Sequence, residues 1–448
     1  MKQQLHTIFG PRTGGSRRRR QAGAATMIVI LVLFFVMSLT AAYASRNLIF
    51  EQRTSANQYR STQAFEATEA GIEWALAMLN GGRIDGDCLP TNNAVLDGFR
   101  QRYLSTNTTI GADLGKINAR VQAGGPQAGD ALWAACSFDG ANWQCKCPTT
   151  SLGALDLPAG NAAFAVRFVN QLTRPGLVRI EVNGCNSYDL TCLQFIRPPL
   201  DNRFCQSAAC SMLALYGGAK FTPNAALTSR LGVSGASLAV YNQNIDTGGI
   251  TVHSGGDNTV TNLVLGGLPG TPPLLTMRPN DTTLSGLPAD ADDCTLCMFS
   301  SVFGLRRETF RRQMGTLQLA CVAPCSAADV NNALATARGR VVAIVGGGGL
   351  TLADPADVIG SAVDPVVVVI DGPLTIAASA GATARIYGLV YATSAAVNAG
   401  EIRGALVSGS TVTGDGTGRI AYDGEALARL RLTSGSFVRI PGSWRDHP

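Results

Sequence analysis

The residues of this sequence best suited to chemistry are its twelve cysteines, none of which precedes Cys88. Two close pairs stand out, Cys294 with Cys297 and Cys321 with Cys325, and 23 residues separate the two pairs. Such pairs can hold zinc, exchange electrons through a C-x-x-C motif or form structural disulfides. Disulfides are favoured, because the cysteine count is even and every cysteine follows an apolar segment that would direct the chain out of a reducing compartment. We therefore expect disulfides among eight residues, with their connectivity open: Cys185, Cys192, Cys205, Cys210, Cys294, Cys297, Cys321 and Cys325.

Motifs of known enzyme classes are missing from the sequence. It has no GxxxxGK[ST], HExxH or GxSxG pattern, and no GxGxxG that follows a strand and opens a helix. Only three histidines occur, and they are far apart in the sequence. Short Asp-Gly stretches are better explained as turns than as calcium loops. We expect no catalytic residue, no metal and no cofactor.

The charge of the chain is concentrated at its beginning. The formal net charge is +5, but residues 1–23 hold six basic and no acidic residues, which leaves 30 basic against 31 acidic in the remainder. The main body is therefore nearly neutral, and nothing in its charge indicates a nucleic-acid partner. Apolar residues at 46% and charged residues at 15% argue against disorder, and 51 glycines indicate a β-rich protein with many turns.

An uncharged segment runs from Gln21 to Ser45, with its most apolar part at residues 27–39. A helix of about 20 apolar residues spans a bilayer. Four arginines precede the segment and only Arg46 follows it closely, so the positive-inside rule places residues 1–20 in the cytoplasm and the body outside. A secretory signal cleaved at the Ala42-Tyr43-Ala44 sequence and a plain uncleaved anchor remain as alternatives.

The helical pattern continues beyond the apolar segment. Residues 46–80 contain no proline and a single glycine, Gly71, before Asn80-Gly81-Gly82 supplies a typical helix stop. One continuous helix over residues 25–79 would be roughly 80 Å long, which is far more than a membrane requires. A signal anchor followed by an unrelated amphipathic helix is the alternative.

These N-terminal features resemble a type IV prepilin, and in particular the PilX family of minor pilins. The leader ends in Gly23, and residues 51–57 resemble the E-R-x-A-x-N stretch of that family. Residues 63–73 resemble its AFxAAEAGL tract, which we call the family tract: Phe65, Glu66, Ala67, Glu69, Ala70 and Gly71. The resemblance covers about 60 residues and implies cleavage after Gly23 by prepilin peptidase and N-methylation of Ala24. Most major pilins carry a glutamate at the fifth position after the cut, whereas this sequence has Ile28 there.

The resemblance also implies a function, partners and a location. We expect a minor pilin that helps to prime assembly of a type IV pilus at or near its tip, with adhesion or aggregation as consequences. The implied partners are other minor pilins, the major pilin, the inner-membrane assembly platform, prepilin peptidase and a PilY-type tip adhesin. The chain would first cross the bacterial inner membrane once, with its C-terminus in the periplasm, and then reach the pilus at the cell surface. A tip pseudopilin of a type II secretion system and a membrane-anchored β-solenoid adhesin outside any filament are the alternatives.

The region after the helix reads as a β-rich ectodomain. Residues 163–170 and 177–182 have strand-like patterns. The sequence I-x-G-x-[LV] recurs at Ile370, Ile386 and Ile402, which predicts stacked β-solenoid coils, with a β-sandwich as the alternative. The chain is thus predicted to be an α+β protein with a long helix, a disulfide-containing β-rich ectodomain and a β-solenoid-like C-terminal part. Its expected parts are a leader (1–23), an apolar helix (24–45), a stalk helix (46–80), a cysteine-rich head (81–214), glycine-rich strands with a linker and a cysteine-flanked helical insert (215–340), a repeat region (341–424) and a tail (425–448).

Overall fold

A computed structural model describes residues 22–91, 93, 95–122, 130–149, 157, 162–171, 174–195, 206–216, 222–313, 315–336 and 340–446. The chain divides into two compact units, residues 1–60 and 61–448. In chain order, the α-helices of the described ranges are α1 Ala22–Asn80, α2 Phe99–Tyr103, α3 Leu190–Leu193, α4 Thr282–Ser285, α5 Met298–Phe303, α6 Arg307–Arg311, α7 Ala327–Thr336 and α8 Gly424–Thr433.

The strands of the described ranges form two large sheets and one small ribbon. In chain order they are β1 Leu104–Thr106, β2 Ile117–Ala119, β3 Trp133–Phe138, β4 Trp143–Lys146, β5 Ala163–Asn170, β6 Leu177–Cys185, β7 Gln206–Tyr216, β8 Leu227–Ser229, β9 Val233–Tyr241, β10 Val252–Ser254, β11 Asn258–Gly266, β12 Met277–Arg278, β13 Thr316–Ala320, β14 Val341–Val345, β15 Leu350–Leu352, β16 Val358–Ile359, β17 Val366–Ile376, β18 Arg385–Val397, β19 Glu401–Ser408, β20 Val412–Tyr422 and β21 Ser436–Arg439. The predicted α+β class is confirmed, with the long apolar helix first and a β-rich, disulfide-bonded region after it.

The first large sheet is antiparallel and has the strand order β21-β7-β6-β5-β3-β4. Its strands alternate buried and less buried residues, as in Leu177–Cys185, because successive side chains point to opposite faces. One face buries Phe164, Val166, Ile180 and Val182 together with Ile72, Ala75 and Leu79 of α1. The last residues of α1 therefore complete the core of this sheet, within the second unit.

The second large sheet is parallel, with thirteen strands between β8 and β20. Two copies of the predicted repeat lie side by side, since Ile386 pairs with Ile402 and Gly388 with Gly404. The first copy does not follow the 16-residue spacing, because Ile370 pairs with Ala392 and Ile359 takes the place beside Ile386. A register shift between Ile370 and Pro373 accounts for the difference. The parallel pairing is established for these strands, and the solenoid-like form of the region stays a prediction.

Candidate functional site

The apolar segment of α1 has no cover within the chain. Every residue from 25 to 60 is exposed, and Ile28 keeps 63% of its surface accessible. The mean hydropathy of the most apolar 18-residue window is 2.5, and the helix is long and apolar enough to cross a membrane. An exposed apolar surface of this extent needs lipid or other protein around it.

Polar groups within this segment are satisfied by the helix itself. The Thr40 hydroxyl donates to the Met37 carbonyl at 2.9 Å, and the Ser45 hydroxyl donates to the Ala42 carbonyl at the same distance. Such local bonds remove the cost of placing a hydroxyl in an apolar environment. The segment can therefore be surrounded by lipid or by neighbouring helices without leaving a donor unsatisfied on these two side chains.

The position of the pilin glutamate is occupied by an apolar side chain. Ile28 lies in the first two turns of α1, and the first turn has no acidic residue. The first carboxylate of the helix is that of Glu51, six turns further on. The apolar segment thus presents no negative charge to a neighbouring subunit.

The family tract lies where α1 packs on the antiparallel sheet. Ala67 and Gly71 are buried, Glu69 and Ala70 are half-buried, and Phe65 and Glu66 are exposed. The tract is therefore a packing motif on one face of the helix. Its predicted residues do not gather around a ligand.

Glu69 and Phe65 fasten the helix to the C-terminal tail. The Trp444 indole Nε1 donates to Glu69 Oε1 at 2.5 Å, and Arg439 Nη1 lies 3.6 Å from Glu69 Oε2. The Phe65 ring meets the Trp444 ring edge to face, with centroids 6.1 Å apart. The acidic member of the tract thus has a defined partner that is more than 360 residues away in the sequence.

Two glycines bring the helix and the sheet unusually close. A Cβ atom at Gly71 would lie 2.6 Å from Val182 Cγ1, and one at Gly184 would run into the Ala64 carbonyl and the Thr68 amide of α1. Thr68 Oγ1 lies 2.9 Å from the Ala64 carbonyl oxygen and 3.0 Å from that of Ser207. The close approach lets this hydroxyl link the helix to strand β7. Sequence reasoning identified Gly71 but missed Gly184 and Thr68, whose roles depend on contacts between distant segments.

Asn80 ends the helix and binds the edge strand β21. Its amide Nδ2 donates to the Phe437 carbonyl at 2.9 Å, and the Phe437 backbone N–H donates to its Oδ1 at 2.8 Å. The side chain therefore pairs with the strand as a backbone unit would. Asn80 was predicted only as a helix stop.

The cysteines divide into disulfides and thiols. The described residues contain four disulfides: Cys88–Cys147, Cys136–Cys145, Cys185–Cys192 and Cys321–Cys325. Two of these join residues that were predicted to form disulfides. Cys205 lies outside the described residues, so the expected local pairing with Cys210 stays a prediction.

The expectation for Cys294 and Cys297 is wrong in this structure, because both carry thiols. Cys297 lies directly before α5 in an apolar cluster, and its thiol donates to the Cys294 carbonyl at 3.7 Å. Burial raises the pKa of the Cys297 thiol, which disfavours the thiolate that disulfide formation needs. The zinc alternative fails as well, since Cys321 and Cys325 are bonded to each other and the described residues contain no group of three or more potential ligands.

The fold and the helix together define the class of the protein. An apolar N-terminal helix whose end packs on an antiparallel sheet is the arrangement of a pilin. Residues 22–73 match the model of the PilX N-terminal family, which covers the apolar segment and the family tract. Over these residues the chain is a PilX-type minor pilin, a component related to type IV pili, and the resemblance predicted from the sequence is confirmed.

Comparisons over the rest of the chain add little. The competence-associated pilin ComZ from Thermus thermophilus is a solved structure to which the chain is similar at 12% identity, with 86% of this chain and 97% of that chain covered and a TM-score of 0.19. No curated protein shows significant similarity to this sequence. The family fits a pilus at the cell surface, and the apolar helix is compatible with a membrane anchor.

Proposed function

We propose that this protein primes the assembly of a type IV pilus and occupies a position at or near the filament tip. The observation that supports the proposal most directly is Ile28, an exposed apolar residue in a helix that matches the PilX N-terminal family. The chain would act through helix packing and through the presentation of a large β-rich head, and not as an enzyme.

The argument for the tip rests on the cost of burying a charge. After cleavage at Gly23, each subunit would bring an N-terminal ammonium group into an apolar filament core. An unpaired charge in such surroundings costs several kcal/mol, and in most major pilins the glutamate of a neighbouring subunit supplies the partner. A subunit with Ile28 supplies none, so it fits best where no earlier subunit requires one.

Processing, partners and location follow from the same family resemblance. Prepilin peptidase would remove residues 1–23, and Ala24 would be N-methylated. The helix would hold the subunit in the inner membrane, with the head in the periplasm, until it joins other minor pilins and the major pilin on the assembly platform. A PilY-type adhesin at the tip would be a further partner, and adhesion or aggregation would follow from the exposed head.

An Ile28→Glu variant tests the placement. The new carboxylate can pair with a neighbouring ammonium, so we expect the subunit to spread from the tip along the filament and the number of filaments to change. Immunogold labelling of sheared pili measures the first effect, and filament counts measure the second. Ile28→Leu keeps the side chain apolar and serves as the matched control, with wild-type labelling and counts.

An unchanged filament number and composition in the Ile28→Glu variant would count against a role of this position in placement. The variant must reach the membrane at the wild-type level for this comparison, since a charge near the centre of a spanning helix lowers insertion. Immunoblots of the membrane fraction provide that check.

A further inference from the structure

A polar cleft of about 460 Å³ lies in the second unit, between the ribbon β1–β2 and the start of strand β14. Arg100 and Gln101 come from α2, Arg120 follows β2, Arg340 precedes β14, and Asp364 precedes β17. Five separate chain segments thus direct polar side chains towards one opening. A cleft of this volume accommodates a ligand of roughly disaccharide size.

The lining of the cleft has an excess of positive charge. Three arginines face a single carboxylate, that of Asp364. Arg340 neutralises this carboxylate, because its Nη2 lies 2.8 Å from Asp364 Oδ2. The Arg100 guanidinium donates to the Thr433 carbonyl at 2.7 Å. Burial lowers the pKa of Arg100 to about 10, so its charge persists at neutral pH.

Arg120 is the guanidinium that can receive an anion from solution. Its side chain is exposed, and no described residue forms an ion pair with it. The planar guanidinium offers two parallel N–H donors, which match the two oxygens of a carboxylate. A ligand with a carboxylate therefore finds both charge and geometry at this position.

Further groups of the lining call for a ligand that has hydroxyl groups. Ser105, Thr106 and Thr108 place hydroxyl side chains in the lining. The Gln101 Oε1 atom is buried in the wall without a hydrogen-bond partner among the described residues, so its amide gains a partner if it turns towards a donor in the cleft. The described lining contains no aromatic side chain on which a nucleobase could stack. An acidic sugar meets these conditions better than a nucleotide does.

We propose that this cleft binds an acidic saccharide, with a hexuronate carboxylate on Arg120 and sugar hydroxyls against Gln101 and the Ser and Thr side chains. The proposal rests on the adhesive part of the proposed function and names the class of ligand for the head. The same chemistry would be offered by a polysaccharide at a cell surface or by a soluble oligosaccharide.

Calorimetric titration of the full chain in detergent micelles with digalacturonic acid tests the proposal. We expect saturable binding that weakens with added salt, and no binding of the neutral disaccharide galactobiose. Arg120→Gln should raise the Kd about tenfold, the loss expected for one charge-assisted hydrogen bond. Arg278→Gln changes an exposed arginine outside the cleft and should leave the Kd unchanged.

Several results would overturn the proposal. These are no binding of digalacturonic acid at millimolar concentration, equal binding of galactobiose, tighter binding of inorganic phosphate or of a single-stranded oligonucleotide, or an unchanged Kd for Arg120→Gln. Arg120→Lys keeps the charge without the planar donor pair, and partial recovery is expected. Titration with an acidic polysaccharide and with cells that lack it separates the soluble from the surface-bound source. Filament incorporation is measured independently, so a chain that enters pili but binds no acidic sugar contradicts this inference alone.

Discussion

Replacing Gly184 by alanine should lower the free energy of unfolding of the second unit by about 3 kcal/mol, an effect at the upper end for overpacked sites. The added Cβ would run into the Ala64 carbonyl and the Thr68 amide, which are backbone atoms of α1 and cannot turn aside as a side chain can. The helix would have to lift from the sheet and would lose the bond between Thr68 and Ser207. Urea unfolding of the full chain in detergent micelles, followed by tryptophan fluorescence, measures the change.

Gly86→Ala is the matched control for this experiment. A Cβ at Gly86 meets no atom within 4 Å, so the free energy of unfolding should stay within about 0.5 kcal/mol of the wild type. Hydrogen exchange of the amides of residues 61–80 should speed up in Gly184→Ala and not in the control. Equal stabilities of the two variants would mean that the helix does not lie as close to β6 as described.

Removal of the disulfide between Cys88 and Cys147 should have the second large effect, through the double variant Cys88→Ser/Cys147→Ser. The bond closes a loop with a sequence separation of 59 residues. On the chain-entropy account, a loop of this length stabilises the folded state by about 4 kcal/mol. The same urea unfolding experiment under oxidising conditions measures the loss.

The disulfide between Cys321 and Cys325 provides the comparison. Its sequence separation is only 4 residues, so its removal should cost about 2 kcal/mol on the same account. The account of these bonds fails if the short loop proves as costly to open as the long one. An unchanged stability of the Cys88→Ser/Cys147→Ser variant would show that these two cysteines are not joined.

Local patterns in the sequence predicted the elements that depend on neighbouring residues. The helix stop at Asn80 and strand β5 over residues 163–170 were placed correctly. Each is marked by adjacent residues, the Asn80-Gly81-Gly82 stop and an alternating apolar pattern. The family tract was recognised for a similar reason, because its residues are consecutive on one helix.

Long-range contacts could not be read in the same way. Strand β21 pairs with β7 at the edge of the antiparallel sheet, more than 200 residues from its partner in sequence, whereas the tail was expected to cap the strand stack. Gly184 looks like an ordinary strand glycine until α1 is placed against it. Within the repeat, a bulge near Pro373 changes the register, and nothing in the 16-residue spacing reveals that shift.

The binding cleft shows the same limit. Its lining comes from five chain segments, so no spacing in the sequence connects Arg120 with Gln101 and Arg340. An exposed arginine after a short strand is ordinary by itself. The excess of positive charge becomes evident only when the ribbon β1–β2 and the start of β14 are brought together.

The central claim is that the apolar helix is cut on its cytoplasmic side and retained as a surface for packing with other subunits. Mass spectrometry of the mature N-terminus, on chains from cells with and without prepilin peptidase, tests this claim most directly. We expect a chain that begins at N-methylated Ala24 when the peptidase is present and one that retains residues 1–23 when it is absent. A chain that begins at Ser45, or one that keeps its leader in both strains, would contradict the account.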